Sequence, residues 1–542
     1  MTHKVLVTDE VDPQGVQVLR DDPQIVVDER PTLPADKVLA IIGEYDAIIG
    51  RSATKITAEL LAAGKNLKVV GRAGVGIDNI AMDAATSLGI AVINAPAGNT
   101  VAVAELFFGS VLAFLRKLGA ADQSMREGRW DRSGLLGREI KGRRIGIVGL
   151  GRIGGEVAVR ARAFGAEVAA YDPYIQPARF EALRVERIED LDALIARSDI
   201  LTVHTPLTDE TRNIIGEREL SLLPAGAIVV NMARGGIVNE SALAAALKSG
   251  RIEGAVVDAF SKEPLAADHP LRGLPNVFLT PHLGASTMEA QRNVAVDVCV
   301  AVREALVSGE LSRSLNVPGG DTAEWSEIRN ALTLATQATT VGRAILASRG
   351  TRAVSGIELA CGSGLTAFRK PLLAAAAVGV LHDIVDEQRV NLINSVAIAA
   401  ARGIRLSSAD TPVVGDPWQI EIGVNGESDS ACIAGVARPG AGARLTRIER
   451  YKVDVQPRDT LIVLTNKDVP GVIGRVGTLL GGAGVNIAEY HQSRLEQGGD
   501  ALAAIAVDGT IGDDIRANLL ALPEVRSVSV VQFSDGTAGR GN

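Results

Sequence analysis

An α/β protein of several domains is what the sequence predicts, and three observations carry that prediction. From His3 to Gly284 short β-branched runs alternate with segments of helical spacing. A glycine-rich turn, "GLGRIGGEVA" from Gly149, sits far into the chain, although in a dinucleotide-binding lobe such a turn follows the first strand. From Thr460 the segments read β-α-β-β-α-β, a ferredoxin-like unit. With 542 residues the chain is also too long for one hydrophobic core.

Taken in order, residues 1–97 carry the runs "HKVLVTD", "IVVDE", "YDAIIG", "LKVVGR" and "IAVINAP", each closed by turn residues. Helical segments such as "LPADKVLAIIG" and "AMDAATSLG" lie between them, which predicts a parallel, doubly wound, flavodoxin-like lobe. Val101 to about Leu118 is apolar on most sides and reads as a buried helix. After Lys141–Arg144, six strand-like runs from "RIGIVGLG" to "VFLTPHLG" suffice for a complete Rossmann-type domain. The late glycine turn then means that this domain, residues 98–287, is inserted into the first lobe, residues 1–97 and 288–316. The helical segment "STMEAQRNVAVDVCVAVREALVSG" from Ser286 returns to pack on the first lobe. Residues 317–453 form an α+β intervening domain without a chemistry motif, and residues 454–542 the ferredoxin-like unit. The final "SDGTAGRGN" reads as a disordered tail.

Composition narrows the function classes. Lys and Arg (56) against Asp and Glu (64) leave a net charge of −8, which points away from nucleic-acid or membrane binding. The longest apolar run, "PLLAAAAVGVL" from Pro371, is too short to span a bilayer. "MTHKVLVTDE" has no signal-peptide pattern, so a cytoplasmic protein is expected. Cys299, Cys361 and Cys432 lie far apart in no metal-like spacing and read as reduced packing residues, so no metal site is expected.

Gly149-x-Gly151-x-x-Gly154 follows a strand-like run and opens a helix, and Asp172 ends the next strand. The helix N-terminus and its backbone N–H groups suit a pyrophosphate. A carboxylate at Asp172 suits ribose hydroxyls and repels a 2′-phosphate, so NAD is expected rather than NADP. Further on, Arg234, Asp258 and His282 end three strand-like runs, and Glu263 lies in the loop after Asp258. Ligands bind outside the carboxyl ends of such strands. An arginine fork suits a carboxylate, and a histidine suits removal of a hydroxyl proton while hydride leaves the same carbon. A neighbouring carboxylate orients the imidazole and stabilises its charged form. His204, ending "LTVHTP", is the rival histidine but has no adjacent carboxylate in sequence.

"RSATKIT", "VVGRAGVGIDNI", "GNTVAVAEL", "GLGRIGGEVA", "VHTPLT", "NMARGGIVNE", "DAFSKEP" and "PHLGAST" follow one another in order, and the chain resembles the D-isomer-specific 2-hydroxyacid dehydrogenases from residue 1 to about 316. The resemblance is strongest to the branch acting on D-3-phosphoglycerate. It implies the split architecture, and Arg234, Glu263 and His282 as carboxylate clamp, proton-relay partner and acid/base. It implies cofactor contacts from Gly149, Gly151, Arg152, Ile153, Gly154, Asp172, Thr205, Pro206, Thr211, Ala233, Asp258 and Gly284. Substrate contacts are implied for Arg51, Ser52, Arg72, Gly74 and Asn99, with Arg132 reaching a neighbouring subunit's site. Ala53 stands where some relatives carry a second arginine.

"NKDVPGVIG" and "GVNIAEY" resemble an ACT domain, a ligand-sensing module. That implies L-serine as effector, held between subunits by Asn466, Asp468 and Asn486, in a homo-oligomer, a tetramer. The intervening domain would be regulatory, with Arg349 and Arg352 as anion contacts or surface charges. The activity implied is NAD-dependent oxidation of D-3-phosphoglycerate. Alternatives are another 2-hydroxyacid dehydrogenase, such as a glyoxylate or hydroxypyruvate reductase, or an NAD-sensing corepressor-like binding protein.

Overall fold

The computed structural model describes residues 2–31, 33–319, 325–382 and 390–533. The tail "SDGTAGRGN" lies outside them.

β1 (His3–Val7), β2 (Ile25–Glu29), β3 (Ala47–Gly50), β4 (Val69–Arg72) and β5 (Ala91–Asn94) form an all-parallel sheet in the order β2-β1-β3-β4-β5. The central strand β3 and the edge strand β5 are buried along their whole length, which is why they read as continuous apolar runs rather than as alternation. The helix Met288–Ser308, capped by the Thr287 hydroxyl, packs Val298, Cys299 and Val302 on the same face as Val5, Ile49, Val69 and Ile93. It also crosses the helix Pro13–Arg20, where a Cβ on Gly15 would lie 2.5 Å from the Ala295 backbone, so only glycine permits the approach. Beyond it, the Asn316 amide donates to the Ile90 carbonyl at 2.9 Å and its oxygen accepts from the Val92 N–H at 3.0 Å. Residues 288–316 therefore pack with the N-terminal sheet.

β6 (Arg144–Val148), β7 (Glu167–Tyr171), β8 (Glu186–Arg187), β9 (Ile200–Val203), β10 (Ile228–Asn231), β11 (Gly254–Val257) and β12 (Val277–Leu279) form a second all-parallel sheet, ordered β12-β11-β10-β9-β6-β7-β8. It has seven strands where six were expected. The seventh, β8, is a two-residue charged edge strand that no apolar run announces. The helix Thr100–Leu115 packs Phe107 and Val111 on this sheet, against the helix Arg152–Ala163. It stops at Leu115, short of the expected Leu118: Lys117 is left-handed (φ 51°), and a new helix, Leu118–Arg126, begins after it.

β13 (Gly356–Cys361), β14 (Arg405–Ser408), β15 (Gln419–Asn425), β16 (Ser430–Val436), β17 (Arg444–Ile448) and β18 (Tyr451–Val455) make a mixed sheet, ordered β14-β13-β15-β16-β17-β18. The helices Trp325–Ser348 and Arg369–Leu381 share its core. The apolar run around Pro371 extends further than it reads in sequence. The helical stretch Ser363–Leu381, 19 residues, is long and apolar enough to cross a membrane, and 61% of it is buried inside the fold. β18 also runs through the expected boundary at 453/454, because its pairing with β17 continues to Val455.

β19 (Thr460–Lys467), β20 (Ile487–Arg494), β21 (Asp500–Val507) and β22 (Val525–Gln532) form an antiparallel sheet, ordered β20-β21-β19-β22. The two central strands, β19 and β21, are apolar on both faces. Ile462, Leu464 and Ile505 meet the helices Val472–Gly482 and Asp513–Leu520, while Leu461, Val463 and Leu502 join the core of the mixed sheet.

Candidate active site

The C-terminal ends of the two parallel sheets face one cleft of about 920 Å³. Arg51 and Ser52 follow β3, Arg72 and Gly74 end β4, Asn99 caps the helix Thr100–Leu115, and Arg234, Glu263 and His282 come from the other lobe; all eight line the cleft.

His282 lies in a loop after β12, held left-handed (φ 55°), and its Nδ1 sits 2.9 and 2.8 Å from the two Glu263 oxygens. Glu263 also accepts the Phe260 N–H at 3.0 Å, which fixes its rotamer. An ionised carboxylate only accepts, so Nδ1 carries the proton and Nε2 is left as the basic nitrogen. His204, the rival, is elsewhere. Its Nε2 contacts the Thr202 hydroxyl at 3.0 Å, its Nδ1 is buried without a partner, and burial pushes it down to about 4.

Arg234 is half-buried and faces the opposite lobe. Its Nε donates to Asp78 at 3.0 Å and its Nη1 to the Ala233 carbonyl at 2.8 Å. The buried Asn231 ties this turn down, donating to the Arg234 carbonyl at 2.8 Å and accepting the Ala233 N–H at 3.1 Å. Arg72 donates to the Ala73 carbonyl at 2.8 Å, while its Nε is buried without a partner. Burial, and then the charges of Arg51 and Arg234, push its guanidinium down to about 10. Asp9, at the end of β1, accepts the N–H groups of Arg51 and Thr54 and anchors the Arg51 loop. Arg132 is exposed and outside this chain's own cleft.

The glycine turn follows β6. Gly149 is left-handed (φ 94°), and a Cβ on Gly154 would lie 2.1 Å from the Gly149 carbonyl, so the helix Arg152–Ala163 closes directly on the turn. Gly151 caps that helix, and a Cβ there meets only open space, which leaves the N-terminus beside Arg152 and Ile153 accessible. Next to it a pocket of about 410 Å³ is lined by Asp172, Tyr174, Thr205, Pro206, Glu210 and Thr211. Asp172 accepts the Leu150 N–H at 2.8 Å and the Tyr174 N–H at 3.0 Å. The Thr205 hydroxyl is buried without a partner, and Tyr174 donates its hydroxyl to Glu210. An open helix N-terminus, a carboxylate at the strand end and an unsatisfied hydroxyl fit a dinucleotide.

Two of the expected cofactor contacts, Asp258 and Gly284, are bonded to each other. Asp258 is 1% exposed, with its oxygens taken by the Thr280 hydroxyl (2.6 Å), the Leu283 N–H (2.7 Å) and the Gly284 N–H (3.0 Å). The Leu283 and Gly284 N–H groups tie the segment just after His282 to Asp258. The expected effector residues, assigned to a site between two subunits, lie apart within one chain. Asn466 is fully buried, and Asp468 is paired with Arg494 at 2.9 Å. Asn486, which donates to Asp508 at 2.6 Å, lies at the level of Thr460, the other end of β19. The strand rise puts Asp468 and Asn486 roughly 25 Å apart.

Sequence reasoning missed Asp9, Asp78, Asn79 and Asn231. Asp9 follows β1 and Asn231 ends β10, so a strand-end signal was available for those two; Asp78 and Asn79 lie in a turn well beyond β4, where no strand end marks them.

Comparison with known proteins gives a consistent picture. The model of the NAD-binding domain of D-isomer-specific 2-hydroxyacid dehydrogenases matches residues 108–284. The chain is 36% identical to D-3-phosphoglycerate dehydrogenase of a Synechocystis species over 98% of this chain and 95% of that one. It is 37% identical to D-3-phosphoglycerate dehydrogenase of Mycobacterium tuberculosis, over 98% of this chain and 99% of the other. Among solved structures, a glyoxylate reductase from Paecilomyes thermophila is similar at a TM-score of 0.54 and 31% identity, covering 98% of that chain but 58% of this one.

Proposed function

The chain belongs to the D-isomer-specific 2-hydroxyacid dehydrogenases, in their D-3-phosphoglycerate dehydrogenase branch, and from that premise we infer that it oxidises D-3-phosphoglycerate to 3-phosphohydroxypyruvate with NAD, the first step of L-serine biosynthesis. The observation that carries the reading is the Glu263–His282 pair opening onto a cleft whose other wall carries Arg51 and Arg72.

Arg234 receives the substrate carboxylate on the N–H groups that Asp78 and the Ala233 carbonyl leave free. Arg51 and Arg72 receive the phosphate, and Ser52, Gly74 and Asn99 line the space between. His282 Nε2 takes the proton of the 2-hydroxyl, and Glu263 stabilises the imidazolium that forms. Bound NAD would supply the acceptor for the hydride that leaves C2. In the reverse direction His282 returns the proton to the carbonyl oxygen. The Gly149–Gly154 turn, with Arg152 and Ile153, would hold the pyrophosphate and Asp172 the ribose hydroxyls, with Thr205, Pro206, Thr211 and Ala233 flanking the dinucleotide.

L-Serine as effector belongs to the same reading. Asp468 and Asn486 lie far apart in one chain, so a ligand touching both sits between two copies. That couples sensing to a homo-oligomer, a tetramer in this reading. Trp130 (77% exposed) and Leu136 (83%) flank Arg132 on a segment that a second copy would cover.

The test is to follow NADH loss with 3-phosphohydroxypyruvate or glyoxylate, with and without L-serine. Rapid loss with the phosphorylated acid, suppressed by serine, is expected. Turnover of glyoxylate alone would favour the reductase alternative. No turnover by protein that binds NADH would overturn the enzymatic reading.

A further inference from the structure

Lys55 lies on the loop between β3 and the helix Ala58–Ala63, is exposed, and lines the cleft beside Arg51 and Arg72. The backbone on both sides of it is tied down. Asn79 donates to the Arg51 carbonyl at 2.9 Å and to the Thr54 carbonyl at 2.7 Å, and its own carbonyl accepts the Ile56 N–H at 2.8 Å. The Thr54 hydroxyl donates to Asp9 at 2.6 Å. The lysine stem therefore leaves a preformed loop, and less ordering is left to the moment of binding.

Among the described residues neither Arg51, Lys55 nor Arg72 is joined to a carboxylate by a side-chain ion pair, whereas Arg234 across the cleft is paired with Asp78. On the same lobe, Lys4 and Lys68 are paired with Glu44 and Asp46. One wall of the cleft thus carries three cations without a direct carboxylate partner, Asp9 and Asp78 acting on Arg72 only from a distance; Arg72 is deep and Lys55 at the rim. A single carboxylate is served by one guanidinium fork, which Arg234 supplies. Three unpaired cations on the other wall suit a group with more charge and more acceptor oxygens, and a phosphate has both. A compact ammonium on a flexible stem suits its solvated outer face.

We propose that Lys55 is a specificity-determining residue, whose ammonium group contacts the substrate phosphate and discriminates phosphorylated from unphosphorylated 2-hydroxy acids at this cleft. This rests on the reading of the substrate as a phosphorylated hydroxy acid. The experiment compares wild type, Lys55→Ala and Lys55→Arg with NADH and either 3-phosphohydroxypyruvate or hydroxypyruvate, the same keto acid without its phosphate. Competition by inorganic phosphate is a second readout. In Lys55→Ala, kcat/KM for the phosphorylated acid should fall roughly 10-fold through KM, as expected for a lost charge-assisted contact. Hydroxypyruvate should change less than about twofold, and Lys55→Arg should recover most of the loss, because the contact is to phosphate alone. The inhibition constant for phosphate should rise in parallel in Lys55→Ala. An equal loss on both keto acids, or an unchanged KM and phosphate inhibition constant, would overturn the role of Lys55. Wild type without preference for the phosphorylated acid would overturn the substrate reading itself, and this inference with it.

Discussion

Replacing Glu263 by glutamine keeps the size of the side chain and removes its charge. In the structure both carboxylate oxygens lie within 2.9 Å of His282 Nδ1. Unit charges about 4 Å apart attract by roughly 4 kcal/mol at an effective dielectric near 20. The side chains are 46% and 37% exposed, so water screens much of that. Roughly 1–3 kcal/mol should remain, which is about 5- to 150-fold in the rate of a step that charges His282. Glu263→Gln should therefore lose that factor in kcat while NADH affinity, followed by fluorescence titration, stays unchanged. His282→Ala should lose more, roughly 10²- to 10⁴-fold, as for removal of a general base. The decisive comparison is the double variant. Glu263 touches the reaction only through His282, so Glu263→Ala combined with His282→Ala should be no slower than His282→Ala alone. Losses that multiply would refute the assignment of Glu263 as the partner of His282.

Asp172→Ala should lower the preference for NADH over NADPH about 10-fold in kcat/KM, from loss of charge-assisted hydrogen bonds to the ribose. The switch should be incomplete because the Glu210 carboxylate lines the same pocket, and an unchanged ratio would sink the ribose role. Acid stability should report His204. Burial depresses its folded value from 6.5 to about 4, so the unfolded chain binds the proton more readily. The stabilisation is complete above pH 6.5 and is lost as pH falls towards 4, by about 2 kcal/mol at pH 5. Wild type should lose more thermal stability between pH 7 and pH 5 than His204→Gln, and parallel curves would refute this.

Much of this molecule is legible along the chain because short-range physics writes it there. Apolar runs of four or five residues became the buried strands β3, β5, β9 and β10, since a strand buried on both faces reads as a near-continuous apolar run. The glycine turn at Gly149 was readable from its neighbours, a strand before and a helix after, as were the motifs of the family. The charged edge strand β8 was not, because two residues carry no periodicity.

Side-chain partners were the other illegible part. Asp258 and His282 both end strand-like runs and look equivalent in sequence; the fold buries the first among three donors and presents the second to the cleft. His204 and His282 differ in the same way, by the partner each finds across the structure. Asp468 and Asn486 are separated by only a helix and two turns along the chain, yet the sheet places them at opposite ends. The sequence by itself determined the elements, the late position of the glycine turn and the family. Only the tertiary structure decided which polar groups are spent on holding loops and which remain free for a ligand, because a hydrogen bond between residues far apart in the chain exists only once packing has brought them within about 3 Å.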